Sequence, residues 1–330
     1  MYIGMCMKFL VLETHNPHLN LAIEEYLFRN SKDDIFMLWQ NEPTVVIGKN
    51  QNAHAEVNLS YLAKHNVFLA RRLTGGGAVY HDLGNVNYTF ISSEAKQGID
   101  FEYFTLPIIG ALKELGVDVS LSGRNDLETS CGAKISGNAQ YSNNGRVLHH
   151  GTLLFSSDLY ALSSALKVDE EKIKSKAIKS TRARVTNIKD LLNRKITVDE
   201  FINNLSDYII KVYSPDLISP PSIDDVSELY KKYASDEWMY PQSKYLSGYA
   251  LSKKKRYPFG TVEVQLSMLG EIIESIRIFG DFFGVLPIEE LESKLRGINM
   301  TSVFKRLSKI DINGYILGMT AEDLASLIVK

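Results

Sequence analysis

The sequence predicts an α+β protein: a large domain built on a largely antiparallel mixed sheet flanked by helices, followed by a small α+β domain. Three observations predict it. Strand-like runs dominate the first half of the chain and follow one another through short turns. Regular strand–helix–strand alternation is missing, which argues against a doubly wound parallel sheet. The tripeptide Asn143-Asn144-Gly145, whose residues tolerate positive φ, joins two such runs as a hairpin. The C-terminal part carries its own pattern of two strands and two amphipathic helices.

Taken in order, the run from Lys8 to Thr14 is strand-like, and Leu19 to Asn30 has helical apolar spacing with Asn20 as N-cap. Ile35–Trp39 and Thr44–Gly48 are short apolar strands, and Val57–Asn66 is a second helix. Strands follow over Val67–Leu73, Ala78–Asp82 and Val86–Ser92, separated by Gly, Asp and Asn. Phe101–Gly116 reads as a helix stopped by its glycine, with Pro107 near its first turns. Val117–Gly123, Ala133–Ser142 and Arg146–Ser156 complete the sheet. Beyond Leu159 the chain turns helical and charged. The polar, basic stretch between Tyr245 and Pro258, with its Lys253-Lys254-Lys255-Arg256 run, marks a domain boundary. The predicted division is a catalytic domain over 1–246, a linker over 247–257 and an accessory domain over 258–330. In the last, Thr261–Leu269 and Ile272–Gly280 form a hairpin, and Pro287–Gly297 and Thr320–Lys330 form helices.

A formal net charge of −2 argues against a nucleic-acid binder that relies on excess Lys and Arg. No run approaches the ~20 apolar residues of a membrane helix. The N-terminus lacks the basic and apolar regions of a signal peptide. Two cysteines, Cys6 and Cys131, are too few for a disulfide framework. A cytoplasmic monomer is the expectation.

Three stretches carry chemistry. Arg71-Arg72-Leu73-Thr74-Gly75-Gly76-Gly77-Ala78-Val79-Tyr80-His81-Asp82 places two guanidinium groups before three glycines. It reads either as an anion-binding loop, with main-chain N–H groups converging on a phosphate or carboxylate, or as a bulged hairpin. In Lys134-Ile135-Ser136-Gly137 a lysine stands among small residues at the start of a strand. It can reach into a cleft to neutralise two anions, or stand exposed on an edge. Of His149 and His150 only one can face a given site, because successive strand residues point to opposite faces.

Together with Asn20-Leu21-Ala22-Ile23-Glu24-Glu25, Gly84-Asn85, Gly123-Arg124-Asn125-Asp126, His149-His150-Gly151-Thr152 and Arg182–Asn187, these stretches resemble the lipoate–protein ligase family over roughly the first 190 residues. The resemblance implies a fold shared with biotin ligases. It also implies ATP-dependent activation of lipoate to lipoyl-AMP with release of pyrophosphate, then transfer to a lysine of a lipoyl-domain acceptor. In this family such acceptors are acyltransferase subunits of 2-oxoacid dehydrogenases and the glycine-cleavage carrier protein.

By the same resemblance Lys134 is the catalytic lysine. Arg72, Gly77, Ala78, Val79, Tyr80, Lys134 and Arg184 bind ATP. Leu21, Arg71, Gly76, His81, Lys134, Gly137 and His150 bind lipoate, and Asp126 is a candidate Mg²⁺ ligand. Ser175–Asn187 would close over the adenylate, and the second domain would pivot near Ser252–Arg256. The alternatives are an ATP-independent octanoyl or lipoyl transferase of the same fold, which would need a nucleophilic cysteine, and a non-catalytic lipoate-binding homologue. A biotin ligase would carry its arginines between the glycines, whereas here both precede them.

Overall fold

The computed structural model describes residues 7–93, 99–123, 125–167, 185–241 and 251–329. Fourteen strands are seen among them: β1 (Met7–Val11), β2 (Asp34–Trp39), β3 (Thr44–Ile47), β4 (Phe68–Arg71), β5 (Val79–His81), β6 (Asn85–Ser92), β7 (Val119–Ser122), β8 (Asp126–Thr129), β9 (Lys134–Asn143), β10 (Arg146–Leu154), β11 (Asp216–Leu217), β12 (Leu251–Tyr257), β13 (Gly260–Leu269) and β14 (Ile272–Gly280). Eight of them make one sheet in the order β11-β1-β2-β6-β10-β9-β8-β7. Its pairings from β2 through β7 are antiparallel, whereas β1 runs parallel to both β2 and β11. The mixed, largely antiparallel sheet is therefore as predicted. The three strands β4-β3-β5 instead form a separate small sheet.

The large sheet is buried on both faces, which explains why β2 reads as an unbroken apolar run. Phe36 and Leu38 face one way, toward Phe104, Ile108, Phe201 and Leu205 of helices Phe101–Glu114 and Val198–Tyr213. Ile35, Met37 and Trp39 face the other, toward Leu21 and Leu27 of helix α1 (Pro17–Asn30) and Val226 and Tyr233 of helix Ile223–Ala234. The period of two thus sorts one strand into two cores.

Helix α1 starts earlier than its apolar spacing suggests. Asn16 is the N-cap: its side chain accepts from the amides of His18 and Leu19, and Pro17 occupies the first turn. Asn20 lies inside the helix and is fully buried. The short strand β8 was not predicted, since its four residues carry two charges and show no strand pattern.

The C-terminal sheet β12-β13-β14 packs against helices Ile288–Leu295 and Ala321–Val329 around its own core of Val262, Val264, Ile276, Leu291 and Leu324. Here the boundary needs correction. Residues 251–257 of the expected linker are strand β12, paired antiparallel with β13. The lysine run is extended, but ladder hydrogen bonds hold it, and alternating side chains on an edge strand stay in water. Ser252–Arg256 is therefore no pivot. Residues 247–250 lie outside the described part.

The two domains meet at the glycine-rich segment. The Gly76 amide donates to the Phe282 carbonyl at 3.2 Å, and the Gly280 amide to the Asn50 carbonyl at 2.9 Å. Phe283 packs edge-on against Phe101.

Candidate active site

A cleft enclosing about 100 Å³ opens where the small sheet meets the large one. Helix α1 contributes Leu21, β2 Trp39 and β3 Val46, which make one end apolar. The segment Gly77–Val79 and His81 of β5 form a second wall. The floor is built from β9, with Lys134, Gly137, Asn138 and Ala139, and from β10, with His150, Gly151 and Thr152.

Lys134 sits at the start of β9, and its ammonium is 2.8 Å from the Asp126 carboxylate on β8. Both side chains are about one-third exposed, at 32% and 29%. The lysine head lies over Gly137: a Cβ built there would be 3.0 Å from Nζ and 3.2 Å from Cε. The small-residue motif thus makes room for the lysine along its own strand. The Lys134 carbonyl accepts from the Thr186 amide at 3.0 Å, and Val185 bridges to Lys134. The downstream end of the predicted covering segment is therefore anchored beside the lysine. Its residues 175–184, including Arg182 and Arg184, lie outside the described part, as does Cys6.

Arg72 is buried and engaged on all sides. Nε donates to Thr74 Oγ1 at 2.9 Å, one terminal nitrogen to the Val46 carbonyl, and the other to the carbonyls of Gly75 and Gly77 at 2.7 and 2.8 Å. Burial lowers its pKa to about 10, and Glu24 works against that. Arg72 lines the cleft, and its guanidinium also holds the glycine segment in shape.

Arg71 departs from expectation. Alternation along β4 turns it away from the cleft, where its donors go to the carbonyls of Gly48, Lys49, Gln51, Trp238 and Met239. Burial, with Arg72 contributing after it, lowers its pKa to about 9. It pins two loops together and lines no part of the cleft. Tyr80 likewise points into the small sheet's own core, with Val45, Ile47 and Leu62.

Of the three glycines, only Gly77 lines the cleft. A Cβ on Gly75 would lie 2.5 Å from the Phe282 carbonyl. Gly76 has φ +85°, and a Cβ there would press on the Phe283 ring and Arg72. Two of the three glycines therefore serve the contact between domains. Asp126 is committed to Lys134, and no cluster of three or more His, Cys, Asp or Glu residues that could hold a metal occurs among the described residues. Mg²⁺ usually binds through one or two carboxylates together with nucleotide phosphates, and Asp126 is the carboxylate beside Lys134.

The two histidines of β10 divide as alternation requires. His150 lines the cleft. His149 is fully buried on the other face, stacked on Phe104 at 5.0 Å, with neither ring nitrogen hydrogen-bonded. His81 is buried, and desolvation first, then Arg72 and His150, lower its pKa to about 3. It is a neutral ring. Its Nε2 and the Nδ2 of Asn87 are buried without a partner, and both residues line the cleft. An unpaired buried donor costs stability unless a ligand meets it.

The sequence reading missed Trp39, Asn87, Asn125, Asn138 and Thr152 as lining residues. A signal for Asn87 was present. In β6, Asn85, Asn87 and Thr89 alternate with Val86, Tyr88 and Phe90, which is a polar stripe inside a wholly buried strand.

Against known proteins, residues 16–210 match the model of the lipoyl protein ligase A/B catalytic domain, and residues 247–328 that of the bacterial lipoate protein ligase C-terminus. A lipoate-protein ligase of Bacillus subtilis is 39% identical over 325 residues, covering 95% of this chain and 97% of its own. A crystal structure of P. falciparum LipL1 in complex with lipoate superposes with a TM-score of 0.78 at 26% identity, covering 99% of both chains. One of lipoate-protein ligase A bound with ATP does so at 0.60 and 29%, covering 72% of this chain and 99% of that one. By sequence along nearly its whole length, and by fold, the chain belongs to the lipoate–protein ligase family.

Proposed function

We propose that the protein activates lipoate with ATP to lipoyl-adenylate, releasing pyrophosphate, and then passes the lipoyl group to the lysine amine of a lipoyl-domain acceptor. The observation that carries this reading is the placement of the Lys134 ammonium over Gly137. The lysine lies at the polar side of a cleft whose other end, at Leu21, Trp39 and Val46, is apolar. An acyl chain fits the apolar end. Its carboxylate then meets the donors of His81 and Asn87 and the charge of Lys134.

When the carboxylate attacks the α-phosphate of ATP, negative charge gathers between two anions. A fixed cation there stabilises the transition state more than the ground state. Among the described residues no cysteine is placed for a thioester route. Cys131, at the exposed turn before β9, has its sulfur 3.0 Å from Thr129 Oγ1 and lines no part of the cleft. Hydrogen bonds from Thr129 and the Ala133 backbone lower its pKa, but reactivity without placement does not make a nucleophile. Mg²⁺ enters this reading with the nucleotide, whose phosphates would share it with a carboxylate such as Asp126.

The test is lipoate-dependent release of pyrophosphate by the wild type and by Lys134→Ala. Loss of one preorganised charge is expected to cost ~3–4 kcal/mol, about 10²–10³ in rate, with the fold retained. Near-wild-type release by the variant would overturn the role of Lys134. Transfer of lipoate without ATP would overturn the adenylate.

A further inference from the structure

Two residues one turn apart on helix α1, Asn20 and Glu24, are fully buried and polar. Neither lines the cleft, yet each leads by hydrogen bonds to a histidine that does.

The Asn20 amide nitrogen is 3.1 Å from the Thr14 carbonyl, 2.8 Å from the Gln40 carbonyl and 2.9 Å from Asn41 Oδ1. Two of these partners are backbone carbonyls, so this end of Asn20 is the donor nitrogen. Asn41 turns its oxygen to it, because its own amide nitrogen there would set donor against donor. The Asn41 nitrogen therefore faces His81 Nδ1, at 3.0 Å. An amide nitrogen only donates, so Nδ1 accepts and the ring proton sits on Nε2. That Nε2 is the buried, unpartnered donor at the cleft.

The second path sets the opposite tautomer. His150 Nδ1 is 2.9 Å from Glu24 Oε1, which also accepts from the Thr89 hydroxyl at 2.7 Å. A carboxylate accepts, so Nδ1 carries the proton. His150 Nε2 lies 2.9 Å from Thr74 Oγ1, and that oxygen already accepts from Arg72 Nε at 2.9 Å. The Thr74 proton is then free to point at Nε2. Every bond from the Arg72 guanidinium through Thr74 and His150 to Glu24 runs in one direction, from cation to anion.

We propose that Asn20, Asn41 and Glu24 are positioning residues that lock His81 and His150 in opposite tautomers. His81 thereby presents an N–H to an oxygen of the acyl substrate. His150 presents no N–H to it, and with Glu24 it fixes Thr74, Arg72 and so the Gly75 and Gly77 carbonyls that Arg72 holds. The assignment of the substrate rests on the ligase reading above; the tautomers do not.

The experiment is nitrogen NMR of the histidine rings in the full-length protein at pH 7.5, assigned with His81→Gln and His150→Gln. The expected wild-type pattern is Nε2–H for His81 and Nδ1–H for His150. An imidazole free in water favours Nε2–H, so the His150 result is the sharper one. Glu24→Leu, which removes the acceptor oxygen, should erase the His150 preference and lower lipoate-dependent pyrophosphate release by about 10- to 100-fold, the range found where outer residues orient a metal-bound histidine. Glu24→Gln, which keeps an oxygen for the Nδ1 proton, should preserve the tautomer. Asn41→Asp, which turns a donor into an acceptor, should put a proton on His81 Nδ1.

A wild-type His150 in the Nε2–H form overturns the proposal without needing any variant to fold. So does Glu24→Leu with an unchanged pattern and rate. If lipoate binds by calorimetry while the His81 Nε2–H resonance does not move, His81 is not the substrate donor. If the wild type releases no pyrophosphate with lipoate, the ligase reading fails, and the tautomer pattern is still decided.

Discussion

The position of Lys134 depends on a side chain that is missing three residues away. Gly137 leaves room for the ammonium and the last methylene, and a Cβ there would stand 3.0 and 3.2 Å from them, with Asp126 at 3.7 Å. The far end of a lysine can move aside, so Gly137→Ala is expected to fold with little change in melting temperature. The displaced charge is expected to slow pyrophosphate release by about 10- to 100-fold, since sub-ångström errors at a reacting centre are costly. A variant as fast as wild type would show that this packing does not set the lysine. The same logic of occupancy decides the two arginines. Arg71 and Arg72 are neighbours in sequence and equally basic, but alternation sends one to loop carbonyls and leaves the other at the cleft wall.

At the level of elements, the seam between strand β10 and helix Phe101–Glu114 is expected to weaken in acid. His149 sits there among Phe101, Phe104 and Tyr88. Burial, then the nearby His150, push its pKa well below 6.5. His81 shifts the same way, to about 3. In the unfolded chain both titrate near the ordinary histidine value. As pH falls below about 6.5 the unfolded state takes up protons that the folded state refuses, so stability declines toward acid and is unaffected by these groups above neutrality. The slope is about 1.4 kcal/mol per pH unit for each proton. His149→Phe keeps a flat ring and removes two unpaired nitrogens. It is expected to be at least as stable as wild type at pH 7 and to show a shallower decline in stability below pH 6. Denaturant titrations across that range check it, and an unchanged slope would place the acid response elsewhere.

For the whole molecule, the C-terminal domain reaches the cleft through the glycine segment. Phe282 and Phe283 touch Gly75 and Gly76, and Lys49 lies 3.7 Å from Glu289. Phe283 belongs to a small cluster with Phe101 and Ala139, apart from either domain core. Phe283→Ala should therefore loosen the junction without melting the domains. The expected result is faster hydrogen exchange at the Gly75–Gly76 amides and unchanged protection in β13 and β6. Equal exchange at the glycines would mean that the junction does not rest on this ring. Reorientation of the second domain, expected from the two half-reactions, would have to act before Leu251, where its sheet begins.

The sequence alone determined the class of sheet, the two-domain pattern and the family motifs, because side-chain period, turn residues and glycines act over a few residues. The family resemblance singled out Lys134, His81 and His150, and the structure brings them to one cleft. Only the tertiary structure decided that Arg71 and Tyr80 face away from the cleft, that Gly75 and Gly76 receive the other domain, and that Ser252–Arg256 is a strand. It also brought in Asn41, Asn87 and Glu24. Each of these depends on which partner lies across a sheet face or a domain junction, and a contact between distant residues leaves no local pattern. The polar stripe of β6 is the exception: its alternation was legible, but what it faces was not.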